Sequence, residues 1–468
     1  MKIKKNLLYF LLAFICMLLI IWLPFLKGSG LSIEGRKALG LLIFIIILWI
    51  TEAIPFPITG LIVILLIPIF GLTSFKDAIY SGFGNSIIIF FIGVMIISAA
   101  LNKSGILYRL TLIVLNKVGL ESSKLIFAFM GIAALLSMWI TNMAVAAILL
   151  PVAREILEKA KIKPLKSNFG KSLMISIAWG CGIGGVGTPV GNGGNILAVG
   201  FLREMAGLDI TFINWMKIGV PVVLILLLVG WFILTHIFPS EIDVLVFKKN
   251  YIKDELKALG PLTSKEGKVL TIFGLAIFLW LTNPFINLYL NFPISNSFIA
   301  LFAAILIFLP YIEILDWNDA QKDISWGSII LIAGGLSLGK VLLDSGTIKW
   351  IAYSFLTNIG NMNVIFQVLL IVTLIQIAKI FFSSNTASAL ILIPILITLA
   401  QGLKLDVWLI VGPAAFAASL ACILVTSTPV NVIPYSAGYF SMKDFSISGI
   451  LFTLVIIPTI TIVFLFLN

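Results

Sequence analysis

The chain has 468 residues, of which 60% are hydrophobic and only 11% are charged. A soluble domain carries about 25% charged residues, so this composition excludes an ordinary soluble protein and indicates an all-α polytopic membrane protein. The formal net charge of +11 would suit nucleic acid, but the lysines lie in short loops between apolar runs, as in cytoplasmic loops of membrane proteins, so we expect no nucleic-acid partner.

The first apolar run, residues 7–26, follows a basic start with three lysines among its first five residues. This order is similar to a secretory signal, but Pro24 follows without a small-residue cleavage pattern. We therefore predict a first transmembrane helix in the segment 1–35. The basic start places the N-terminus in the cytoplasm, and we expect the protein to lie in the plasma membrane.

The remaining apolar runs approach or exceed the roughly 20 residues that a transmembrane helix needs. They lie at 38–50, 54–72, 86–101, 125–151, 172–202, 216–238, 269–290, 296–311, 326–343, 348–357, 364–402, 407–440 and 447–467. Some are too long for one span and too interrupted to form a straight helix, which predicts helical hairpins that enter and leave by the same membrane face.

Two of the long runs carry the same polar interruption, at residues 139–151 and 382–394. Polar groups in hydrocarbon need partners or a water-filled cavity. The apolar limbs on either side reach the middle of the membrane and return, because about 10–16 helical residues are too short to cross it. We predict re-entrant hairpins over 122–160 and 362–403, with tips at Thr141-Asn142 and Ser384-Asn385-Thr386.

The chain is also internally duplicated. Residues 48–51 recur as 279–282, and Asn142 is matched by Asn385 further along. Such weak symmetry is typical of secondary transporters, whose sites form where two repeats meet. We predict inverted repeats over 36–240 and 269–468. A cytoplasmic connector, 241–268, would join them; it holds six basic residues from Lys248 to Lys268, and six others lie between Arg154 and Lys171.

Each repeat contains a second polar element, a broken helix, predicted over 170–204 and 407–440. The first is rich in glycine from Gly180 to Gly194, and the second contains Pro413, Pro429 and Pro434. Because glycine and proline at this density weaken a regular helix, we expect the backbone to unwind there.

Unwound backbone at membrane depth exposes carbonyl oxygens that bind a hard cation such as Na⁺. Hydroxyl and amide oxygens of Ser137, Thr141, Asn142, Ser384 and Asn385 would complete such sites. The start of a returning half-helix presents free N–H groups, which suit a carboxylate or sulfate. The alternative for both asparagines is helix capping at a buried hairpin tip, and the two roles are compatible.

At these residues the chain resembles the divalent anion/sodium symporter family, which carries dicarboxylates, citrate and sulfate with sodium. The resemblance rests on residues 49–59, the two tips, the two breaks, and Trp326-Gly327 with Ala333-Gly334-Gly335. It implies about eleven transmembrane helices, the two re-entrant hairpins, a homodimer in the lipid bilayer, and an elevator motion.

The same resemblance implies the ligands of a small-molecule anion and of sodium as the coupling ion. The sodium sites would use Ser137, Thr141, Asn142 and backbone near Val186, and Ser384, Asn385 and backbone near Ile423. The anion would meet Asn142, Met143, Gly187, Asn385, Thr386 and Val425.

The sequence departs from the family pattern at several of these positions. Met143 replaces a hydroxyl at the first tip, which removes a donor worth about 1–3 kcal/mol to an oxyanion. Lys379 lies six residues before Asn385, and its ammonium would either replace one sodium ion or line a hydrated crevice. Glu52, in the motif at 49–59, would form a structural ion pair or take part in coupling, and we favour the structural role.

The residues give no basis for an enzyme. The one histidine, His236, lies at the end of a span, Cys16, Cys181 and Cys422 lack metal-ligand spacing, and no phosphate-binding loop is present. We predict sodium-coupled symport of a C4 dicarboxylate such as succinate. The alternative is a sodium-independent dicarboxylate exchanger, or a carrier of sulfate, citrate or another oxyanion.

Overall fold

A computed structural model describes residues 2–22, 30–245, 251–289, 294–355 and 362–467. These residues form helices and contain no β-strand, which confirms the all-α prediction. Eight of their helices are long and apolar enough to cross a membrane. Pro24, Lys248 and Lys249, which entered the predictions above, lie outside the described residues.

The first eleven helices lie before residue 240. They are α1 (Lys2–Trp22), α2 (Ile33–Thr51), α3 (Phe56–Ile69), α4 (Phe75–Phe83), α5 (Ser86–Ser104), α6 (Ile106–Val118), α7 (Ser122–Ser137), α8 (Asn142–Lys159), α9 (Asn168–Gly185), α10 (Gly193–Ala206) and α11 (Phe212–Ile237).

The other eleven helices of the described residues follow. They are α12 (Tyr251–Ala258), α13 (Ser264–Ile286), α14 (Asn296–Phe308), α15 (Trp317–Asp323), α16 (Trp326–Asp344), α17 (Thr347–Phe355), α18 (Val364–Ala378), α19 (Asn385–Gly402), α20 (Val407–Ser419), α21 (Pro429–Tyr435) and α22 (Met442–Leu467). Short 3₁₀ turns occupy Lys379–Phe381 and Val425–Ser427.

The helices around the two polar tips form one packed group. The pairs α7–α8 and α18–α19 turn back at the tips, α7 packs on α9, and α10 packs on both α19 and α20. A second set of contacts joins α16 to α3 and α4, and α14 to α5. The starts and ends of several helices therefore meet inside the protein, around the tips.

The glycine-rich segment of α9 has a packing role that the sequence interpretation missed. The helix continues regularly through Gly180 and Gly184 to Gly185, so the predicted unwinding there is wrong for the first part of the segment. A Cβ on Gly180 would lie 2.5 Å from the carbonyl oxygen of Met130 in α7. Glycine thus lets α7 and α9 touch backbone to backbone, as small residues do between membrane helices.

A buried ion pair joins α6 to the start of α13. Arg109 donates from Nε to Glu266 Oε1 at 2.7 Å and from Nη2 to Oε2 at 3.1 Å. Its Nη1 also donates to the carbonyl of Gly260 at 2.7 Å. Glu266 in turn accepts from the backbone N–H of Thr263 in a capping box. One carboxylate therefore begins α13 and fixes α6 against it.

Candidate functional site

The first tip holds two buried oxygens without partners. Asn142 is the first residue of α8, and its Oδ1 accepts no hydrogen bond within the described part of the chain. Its amide lies against Gly185, where a Cβ would come within 2.7 Å of Nδ2. Ser137 Oγ has no nitrogen or oxygen partner and lies near the weakly hydrogen-bonding thiol of Cys181. Buried polar atoms are normally satisfied, so this pair fits a hard cation that prefers oxygen.

The first break follows directly, between α9 and α10. The carbonyl of Val186 accepts from Trp215 Nε1 at 2.8 Å, which leaves one lone pair of that oxygen. Gly187 packs against the side chain of Met138, and Thr188 donates its hydroxyl to the Met138 carbonyl. The backbone proposed as a sodium ligand is thus held in place from two sides.

The two breaks share one hydrogen-bond pattern. Asn195 Nδ2 donates to the carbonyls ten and seven residues earlier, at 2.7 and 2.9 Å. Asn431 Nδ2 donates to the carbonyls at the same spacings, at 2.7 and 3.3 Å. We call each arrangement an asparagine clamp. Each clamp spans the unwound backbone and holds its carbonyls on one side of a broken helix.

A hydrogen-bonded chain joins the second tip to the first break. Lys379 Nζ donates to Asn385 Oδ1 at 2.7 Å, and Asn385 Nδ2 donates to the carbonyl of Ser419 at 3.1 Å. Ser419 Oγ donates to Asn195 Oδ1 at 2.8 Å. Sequence reasoning missed Ser419, which lies at the end of α20 in an otherwise apolar segment.

The start of α19 lies beside the start of α10. A Cβ on Gly193 would lie 2.9 Å from Thr386 Oγ1, and one on Gly194 would lie 3.3 Å from the carbonyl oxygen of Asn385. Free N–H groups and the positive ends of two helix dipoles therefore come close together there. Such an arrangement favours an anion, and the Thr386 hydroxyl can donate to it.

The other predicted residues occupy mixed positions. Met143 has a side chain that is 48% exposed, while Val425 is buried in its 3₁₀ turn. Thr141 precedes α8 without capping it, whereas Ser384 Oγ caps α19 by accepting from the N–H of Ala387. Ile423 lies beside Lys379. No hydrogen bond joins one tip to the other among the described residues.

Helix capping does not explain the two matched asparagines. The Asn142 side chain accepts no backbone N–H, and the Asn385 side chain bonds Lys379 and Ser419 instead. Both residues are the first of their helices, one position after the cap. Their side chains are therefore available for a role other than starting a helix.

Comparison with known proteins identifies the group of transporters to which this arrangement belongs. A family model described as the sodium:sulfate symporter transmembrane region matches residues 4–467. The sodium-dependent dicarboxylate transporter SdcS of Staphylococcus saprophyticus is 31% identical over 96% of this chain and 89% of its own. The transporter of the same name from a bovine strain of Staphylococcus aureus is 32% identical over 92% and 86%.

The chain belongs to the divalent anion/sodium symporter family. It is an integral membrane transporter and not an enzyme. A solved structure adds evidence on the fold alone: the YdaH transporter of Alcanivorax borkumensis matches with a TM-score of 0.54 and 14% identity. That match covers 82% of this chain and 85% of the other.

Within this symporter, Glu52 contacts the second tip instead of forming the expected ion pair. Its carboxylate accepts a hydrogen bond from Ser383 Oγ, and no ion pair to Glu52 is present in the ranges that the structure describes. Glu52 ends α2 with φ of +49°, a left-handed conformation that non-glycine residues seldom adopt. The strained end of α2 thus presents a carboxylate to the loop before α19.

A separate polar cavity of about 780 Å³ lies between α10 and the helices α5, α13 and α14 of the symporter. Its lining includes Asn85, Glu204, Asn283 and Asn296, and Asn85 donates to the Glu204 carboxylate across it. None of the residues predicted for the ion or anion sites lines this cavity. The tips, not the cavity, hold the matched polar groups.

Proposed function

We propose that this protein takes up a C4 dicarboxylate such as succinate across the plasma membrane by symport with sodium. The observation that carries the proposal is the pair of buried, unpartnered oxygens of Ser137 and Asn142 at the first tip. The helix starts at Gly193 and Asn385, side by side, supply a place for the anion. Both staphylococcal relatives are sodium-dependent dicarboxylate transporters, which supports the same cargo here.

The proposed ligands are those of the sequence analysis. Sodium would bind Ser137, Thr141, Asn142 and the Val186 backbone, with a second cation position at Ser384, Asn385 and the backbone near Ile423. The dicarboxylate would meet Asn142, Met143, Gly187, Asn385, Thr386 and Val425.

The proposed architecture follows the same reasoning. The repeats 36–240 and 269–468 are inverted, with about eleven spans in all, re-entrant tips and a cytoplasmic N-terminus. Two copies form a homodimer, and the packed group around the tips moves as an elevator. The two asparagine clamps, with identical spacings to their carbonyls, support the duplication.

Sodium-independent exchange of dicarboxylates is the second candidate, and Lys379 is the observation that favours it. Its ammonium donates to Asn385 Oδ1, the side chain assigned to the second cation position. A resident charge at every cation position would remove the need for sodium. The first tip has no such charge, which is why we place symport first.

Uptake of labelled succinate by proteoliposomes separates the two candidates. One arm has an inward sodium gradient and empty vesicles; the other has no sodium and vesicles preloaded with unlabelled succinate. We expect uptake in the first arm only. Uptake in the second arm alone would establish exchange, and failure in both, with uptake of labelled sulfate or citrate, would replace the substrate.

Met143→Thr should strengthen dicarboxylate binding. The new hydroxyl restores a donor beside Asn142, and a hydrogen bond to a carboxylate is worth about 1.5 kcal/mol, or roughly a tenfold lower KM. Concentration dependence of succinate uptake measures it. Met143→Leu, which keeps an apolar side chain of similar size, is the control and should leave KM unchanged; an equal effect of both variants would contradict a donor role.

A further inference from the structure

Lys379 is a buried lysine without a carboxylate partner. Its side chain is 2% exposed, and it forms no ion pair within the described segments. Gln376, Cys422, Ile423 and Ser427 enclose it in a space too small for a water molecule. The lysine therefore neither lines a hydrated crevice nor reaches the membrane surface, which were the ordinary explanations for a charge in an apolar segment.

The surroundings of this ammonium attract a cation. Lys379 follows the last residue of α18, and Asn385 ties it to the carbonyl of Ser419 at the end of α20. The C-terminal ends of two helices, each carrying a partial negative charge, thus point to the same place. In secondary transporters, such ends of half-helices and unwound carbonyls coordinate the coupling ion.

The first tip shows the same framework without the lysine. Six residues before Asn142 the chain has Leu136, where the second repeat has Lys379 before Asn385. Asn142 Oδ1 has no hydrogen-bond partner among the described residues, whereas Asn385 Oδ1 accepts from the ammonium. One matched amide oxygen is free to bind an ion, and the other is already occupied.

We propose that the ammonium of Lys379 permanently fills the second cation position, so that sodium binds only at the first tip. The inference rests on the proposed function and deepens it, because it sets how many ions couple to the anion. The resident charge travels with the site in both directions. Each cycle therefore carries one sodium ion fewer than a protein with both positions open.

Counting bound ions tests this proposal. The melting temperature of the purified protein in detergent is measured against NaCl concentration, with choline chloride keeping ionic strength constant, and the linkage slope gives the number of ions taken up by the folded state. We expect one ion for the natural chain and two for Lys379→Ala, whose smaller side chain frees Asn385 Oδ1. Leu136→Ala, the matched position of the first repeat, is the control and should still give one.

Equal ion numbers for the natural chain and the variant would overturn the proposal. If Lys379→Ala does not fold, Lys379→Ser is measured instead, since its hydroxyl can itself contact an ion, and the same criterion applies. The test is independent of the transported anion. A natural chain without sodium-driven uptake would refute symport, yet a gain of one bound ion in the variant would still support a resident cation at Lys379.

Discussion

Replacing Asn142 by alanine should abolish sodium-driven uptake while leaving the protein folded in detergent. The change removes the unpartnered Oδ1 that we assign to sodium, and an interaction with a charged group is worth about 1.5–3 kcal/mol. Sodium affinity would fall by roughly tenfold to a hundredfold. No hydrogen bond to Oδ1 is lost within the described residues, so the cost to folding is small. Succinate uptake by proteoliposomes at fixed sodium measures the effect.

Asn283→Ala is the matched control for this prediction. Asn283 is another buried asparagine whose Oδ1 has no hydrogen-bond partner in the described residues, but it lies in α13, away from both tips. Its loss should leave uptake nearly unchanged. Asn385→Ala should abolish uptake as Asn142→Ala does, because it leaves Lys379 without its partner. Normal transport by both tip variants would show that the site is assigned to the wrong residues.

Glu266→Ala should cause the largest loss of stability, because it leaves the guanidinium of Arg109 buried without its counter-charge. Breaking a buried pair by removing one partner costs about 3–5 kcal/mol, and the capping box of α13 is lost as well. Thermal unfolding in detergent, followed by tryptophan fluorescence, should show a clearly lower melting temperature.

An exposed ion pair provides the comparison. Lys124 and Glu121 are separated by 2.6 Å, but their side chains are 62% and 46% exposed. Solvent screens such a pair, so Lys124→Ala should cost less than about 1 kcal/mol. Similar losses for the two variants would mean that the burial of Arg109 and Glu266 does not set their contribution.

The sequence shows the local features of the site and hides the distant ones. The polar tips are visible because each interrupts an apolar run, and α8 and α19 begin at Asn142 and Asn385. The partner of Ser419 could not be predicted, because Asn195 is 224 residues away. The glycines of α9 were ambiguous, since both unwinding and close packing select glycine.

Lys379 shows a similar limit. Its place before the second tip is evident from the sequence, but whether a lysine reaches water or a buried acceptor depends on the direction of its side chain. The structure settles this through the contact with Asn385 Oδ1 and the closely packed surroundings. The pair of Arg109 and Glu266 was equally hidden, because 157 residues separate its members.

The asparagine clamps have a consequence for how an ion would bind. Because Asn195 already holds the carbonyls of Gly185 and Thr188, the unwound backbone keeps its shape before any ligand arrives. A preorganised site avoids the entropic penalty of ordering a loop on binding. Ion affinity at the first break is then set by the ligand oxygens and by desolvation of the ion, with little loss to conformational rearrangement of the chain.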